Sequence, residues 1–168
     1  MNSELIIYLA VVAISCAIPI IIINSKKKRK EKLFIQLLLD LAEKSNSKIT
    51  QRDLWNNSQI GIDKEAYRLF YIKQTNSEEV IKVVDLSEIQ KCRVINTSRT
   101  VNFKDSVQTV LEKLELAFVN QDKNKPEIIL GFYNSAIDSL SLRNEFQLTE
   151  KWSGIVNSTI STISQRKY

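Results

Sequence analysis

The sequence predicts an α+β protein held at a membrane. Three observations carry that prediction: a charge-free apolar run of nineteen residues near the start, several later segments whose apolar residues recur with period 2, and a final segment where they recur with period 3.6. The length of 168 residues suits one ordinary domain plus a small extra element. With no His, three Gly and two Cys, the chain lacks the material for a His-based triad, a multi-Cys zinc site, a disulfide framework or a glycine-rich phosphate loop. No cofactor or metal is expected.

The first element is the run LIIYLAVVAISCAIPIIII over residues 5–23. As a helix it spans roughly 28 Å, which matches a hydrocarbon core of about 30 Å, so residues 1–24 are expected to form a transmembrane anchor. A cleaved signal peptide needs a positive start, a shorter apolar core and a small-residue cleavage site. Here the start carries Glu4 and the run ends in four isoleucines. Pro19 costs one helical hydrogen bond, which membrane helices tolerate.

Directly after the run stand Lys26, Lys27, Lys28, Arg29, Lys30 and Lys32, interrupted only by Glu31. The positive-inside rule then places the N-terminus outside and the C-terminal domain in the cytoplasm, as a single-pass protein of the cell inner membrane. These six cations are the expected membrane-surface residues, each adding about 1 kcal/mol of attraction to an anionic leaflet. Residues 33–168 hold 18 cations and 17 anions, so the basic excess belongs to topology and offers nucleic acid no basic face.

Residues 25–47 are expected to be this polybasic stretch followed by an amphipathic connecting helix. Leu33, Phe34, Leu37, Leu38 and Leu41 follow the i, i+3, i+4 rule, with Ile35, Leu39 and Ala42 widening the stripe. So wide a stripe needs a cover: the following domain, a second copy of the chain in a homo-oligomer, or the membrane surface. Residues 48–168 are the domain proper. Strands are expected over 49–55, 59–62, 67–72, 80–84, 88–95, 114–119 and 128–133, with turn clusters at 75–78 and 120–126 that make two hairpins. The polar stretch 96–106 reads as a long connection and a candidate binding loop. Trp152, Ile155, Val156, Ile160 and Ile163 then share one face of a closing helix.

This order of elements resembles the pleckstrin-homology-like (PH-like) superfold, in particular bacterial membrane-anchored proteins of that type. The resemblance is carried by IGIDKEAYRLFYIK (60–73), EEVIKVVDLSEIQKCRVI (78–95), LEKLELAFVNQDKNKPEIILGFY (111–133) and the helix around EKWSGIV (150–156). It implies a bent antiparallel sheet or seven-stranded barrel capped by the C-terminal helix, used to bind lipids, peptides or proteins. Phosphoinositide recognition is not carried over, because the first hairpin has only Lys48, Arg52 and Lys64 in place of a basic cluster.

Residues able to do chemistry are few. Asp63, Asp85, Glu88, Asp105 and Asp138 fall near element ends, where carboxylates serve acid–base work or simply cap turns. Cys92 lies between Lys91 and Arg93 in a strand, which fits an activated thiol or a buried one. Tyr67, Tyr71, Phe132 and Tyr133 offer stacking surfaces, but strand aromatics ordinarily build a core. The expectation is a membrane-tethered binding or scaffolding module whose protein or lipid partner the sequence does not name. The alternative is an accessory subunit or enzyme acting on a lipid or a membrane protein.

Overall fold

The computed structural model describes residues 28–75, 78–103, 106–138 and 144–166. The expected span over residues 5–23, with Lys26 and Lys27, lies outside the described residues. Among the described residues, no helix is long and apolar enough to cross a membrane.

The fold is α+β, with two antiparallel sheets and a C-terminal helix. Strands β1 (Gln51–Trp55), β2 (Ser58–Asp63), β3 (Arg68–Gln74) and β4 (Glu79–Asp85) form a four-stranded meander. A short 3-10 turn, Leu86–Glu88, leads to the second sheet, β5 (Ile89–Phe103), β6 (Ser106–Asn120) and β7 (Ile128–Asn134), in the order β5-β6-β7. Helix α1 covers 28–44, and α2 runs Glu145–Arg166.

Between the sheets lies one core. Ile60 and Ile62 of β2, Leu69 and Tyr71 of β3 and Val84 of β4 meet Leu114, Leu116 and Phe118 of β6 and Leu130 and Phe132 of β7, while α2 adds Trp152, Val156, Ile160 and Ile163. The period-2 pattern put these residues on one side of each strand, and the single apolar face of α2 is what docks. Asn157 fastens the helix to β5 by accepting from the Cys92 N–H (2.9 Å) and donating to the Cys92 carbonyl (2.8 Å). Those are outward groups of a sheet-edge strand, which would otherwise lack partners.

The other edge strand, β7, is closed by the opposite sheet. Trp55 Nε1 donates to the Phe132 carbonyl (3.0 Å), the Tyr71 hydroxyl to the Gly131 carbonyl (2.6 Å), and Lys82 Nζ to the Ile129 carbonyl (3.0 Å). Trp55 also stacks on Phe132, with ring centroids 4.5 Å apart. The two sheets are therefore joined by hydrogen bonds as well as by apolar packing.

Helix α1 covers the outer face of the first sheet. Leu38 and Ala42, flanked by Phe34 and Leu41, pack on Phe70 and Ile72 of β3 and on Ile49, forming a second small core. The domain itself thus covers Leu38 and Ala42, with Phe34 and Leu41 beside them, while Leu33 and Leu37 of the stripe stay exposed. Gly61 lets the helix come close, since a Cβ there would lie 2.9 Å from Leu38 Cδ2 and 3.1 Å from Ile49 Cδ1. With a core on one face and a helix on the other, β2 is buried along its whole length.

The stretch 96–106 differs from expectation. The β5–β6 ladder runs on past Thr97 and Ser98, where a register shift bends it, to pair Phe103 with Ser106. β7 reaches only as far as Lys113, so beyond that point the pair is a two-stranded ribbon. Thr97, Thr100, Val107, Thr109 and Val110 are β-branched and favour extended backbone, while the exposure of their neighbours to water made the composition resemble a loop.

Candidate functional site

One end of the domain gathers the described members of the cation run expected at the membrane surface. Lys28, Arg29, Lys30 and Lys32 lie exposed on the first turns of the described part of α1. Helix and sheet meet at this end, because the Phe34 carbonyl accepts from Gln59 Nε2 of β2 at 2.6 Å. A groove of about 500 Å³ opens there, lined among others by Lys30, Leu33, Leu37, Asp40 and Gln74. Gln74 ends β3 and its N–H donates to the Asn57 carbonyl in the β1–β2 turn (2.8 Å), so two turns of the first sheet reach the same end. Asn56 takes a positive φ of 46°, which Asn accepts more readily than most residues, and its amide donates to Glu145 Oε1 at 2.8 Å. That contact brings the start of α2 to this end as well.

Just beneath lies a buried polar cluster. Lys73, which is 8% exposed, pairs with Asp138 at 3.0 Å, and the same carboxylate oxygen accepts from the Asn134 N–H at 2.8 Å. Tyr71 and Ser58 lie beside it, and burial holds the Tyr71 hydroxyl far above its usual titration range, with the Asp138 charge adding to the effect. Asp138 is among the element-end carboxylates that the sequence singles out, and Lys73 is not. A signal existed, since period 2 places Lys73 on the same face as Leu69 and Tyr71.

The remaining candidates are held apart. Asp85 caps the 3-10 turn through the Ser87 N–H (2.9 Å), and Glu88 pairs on the surface with Lys125 at 2.7 Å, which raises the lysine's pKa. Asp105 lies outside the described residues. Burial pushes the Cys92 thiol up to about 12, against a smaller opposing effect of Ser153, so of its two readings the buried thiol fits and the activated one does not. Tyr71, Phe132 and Tyr133 are core residues, and Tyr67 is half-buried with its hydroxyl accepting from Arg166 at 2.6 Å. Among the described residues, no group of three or more His, Cys, Asp or Glu stands where it could hold a metal ion.

Asp63 ties the connection after α1 to the sheet. Burial by itself would raise its carboxyl, but the N–H groups of Ala66 (2.9 Å), Lys48 (2.6 Å) and Glu65 (2.9 Å), with the Arg68 charge, outweigh that and hold the pKa below the ordinary value. Arg68 in turn donates to the Ser45 carbonyl. A carboxyl whose pKa is depressed on folding stabilises fully above its unfolded value of about 3.9, and that stabilisation disappears as pH falls through the lower folded value. Asp63→Asn is therefore expected to cost about 1–3 kcal/mol at neutral pH and to flatten the loss of stability below about pH 4. Urea melts of both proteins across pH 2–7 measure it, and parallel curves would contradict the assignment.

No family model matches the chain, and neither a curated protein nor a solved structure matches it.

Proposed function

We propose that the protein is a single-pass, membrane-tethered PH-like module that binds or scaffolds a protein or lipid partner at the cytoplasmic face of a bacterial inner membrane. Docking of α1 on the first sheet carries the reading. The polybasic segment continues into a helix packed against β2 and β3 through Leu38 and Gly61, so a tether at its start would keep the first sheet near the membrane. Only residues 24–27 separate the apolar run from the described helix. Four strands, then three, then a helix on the shared core is the order that the PH-like resemblance implies.

Binding is preferred to catalysis because Asp63, Asp85, Glu88 and Asp138 are occupied at separate turns by backbone or lysine partners. Topology is the test. Lys64→Cys places a thiol on the exposed β2–β3 turn, whereas Cys92 is too buried to report. A membrane-impermeant maleimide is expected to leave Lys64→Cys unmodified on intact inner membranes and to label it after they are broken. Labelling from the outer side would overturn the orientation.

A further inference from the structure

The geometry points to a lipid-contacting face at the α1 end of the domain, in which Ile137 and Phe146 enter the headgroup layer of an anionic leaflet. Large apolar side chains exposed to water need a reason when they gather in one place. Ile137 is 59% exposed, Phe146 45%, Leu33 61% and Leu37 44%. Leu33 and Leu37 come from α1, Ile137 from the turn after β7 and Phe146 from the start of α2, and the contacts described above bring them to one end. Ile137 precedes Asp138, which is fixed to Lys73 at the close of β3. Phe146 follows Glu145, which is fixed to Asn56 in the β1–β2 turn. Leu33 and Leu37 share their groove with Gln74.

Charge and tether select the bilayer as occupant. The same end carries Lys28, Arg29, Lys30 and Lys32, with Lys26 and Lys27 immediately before them in the chain. Glu31, Asp40, Glu78 and Glu79 are the acids nearby, and the six cations of residues 26–32 exceed them by two. The inference rests on the anchor reading. If residues 5–23 cross the bilayer, the four residues 24–27 extend at most about 14 Å, so the first described turn of α1 stays close to the headgroup layer. Aromatic and branched apolar side chains flanked by lysines are the composition that favours such an interface.

The experiment uses the full chain in vesicles of phosphatidylglycerol and phosphatidylcholine, with Cys16 and Cys92 replaced by Ala. A polarity-sensitive dye is attached at Ile137→Cys, Phe146→Cys or, as the control on the opposite end of β2, Lys64→Cys. All three positions are exposed or nearly so, and labelling them leaves the core intact. An alkaline wash is read first: loss of the chain from the vesicles overturns the anchor reading and this inference with it. For retained chain, acyl-brominated lipid is expected to quench the dyes at 137 and 146 at least twofold more than the dye at 64, with the difference shrinking when phosphatidylglycerol is omitted. Equal quenching at the three positions overturns the lipid face while leaving the anchor standing. A blue shift at 137 and 146 that grows with the protein-to-lipid ratio but brings no quenching would make a second copy the occupant, and also overturns it.

Discussion

Trp152→Ala is expected to destabilise the protein by about 3–5 kcal/mol, the range for large-to-small changes in a core that cannot collapse around the gap. Trp152 is fully buried among residues of both sheets. Its Nε1 donates to Asp53 Oδ2 at 2.8 Å, and Lys151 reaches the same oxygen at 2.6 Å. The variant loses the ring that joins α2 to β1 but leaves Asp53 a cationic partner, so the cost arises from the cavity more than from a stranded charge. Trp152→Phe keeps most of the volume and should cost less than half as much. Thermal and urea unfolding of the three proteins measure the series, with a fall in melting temperature on the order of 10 °C for the alanine variant. A Trp152→Ala protein as stable as its parent would mean that α2 is not docked.

The second large effect concerns the buried ion pair. Asp138→Ala leaves the Lys73 ammonium without its counter-charge in a site where only 8% of the residue is exposed. Removing one partner of a buried pair typically costs about 3–5 kcal/mol, far more than the pair itself contributes, because the charge left behind is neither solvated nor neutralised. The double variant Lys73→Met, Asp138→Leu removes both charges and is expected to recover most of the loss, staying within about 1–2 kcal/mol of the parent. The residual loss reflects the Asn134 N–H, which then lacks an acceptor. If Asp138→Ala and the double variant are equally unstable, the acidic side chain serves the Asn134 turn and the lysine is incidental.

How much of this was legible in the sequence depends on whether a residue's neighbours in the chain are also its neighbours in space. Leu69 and Tyr71, or Trp152, Val156 and Ile160, declare a buried face because periodicity is a property of one element. The ribbon beyond Lys113 hid itself, since both its faces are wet and alternation carries no contrast there. Ile137 and Phe146 gave no sign either. Each is a single exposed apolar residue, and what brings them to the same end as Leu33 is two polar contacts, Lys73 with Asp138 and Asn56 with Glu145, that span 65 and 89 residues. The cation run at 26–32 was plain from its composition alone.

The three donors that close β7 have a consequence for how the protein comes apart. Trp55, Tyr71 and Lys82 belong to β1, β3 and β4, yet the carbonyls they satisfy belong to the other sheet. Separating the sheets would therefore bare polar groups on both at once, with no partly opened arrangement that keeps them paired. The sandwich and α2 accordingly form one cooperative unit. Helix α1, held by its own small cluster and by the Gln59 bond to the Phe34 carbonyl, forms a second and smaller one. The low-energy opening of this fold thus lies on the side where the chain leads toward its N-terminus, and the amide protons of α1 exchange before those of the sheet ladders.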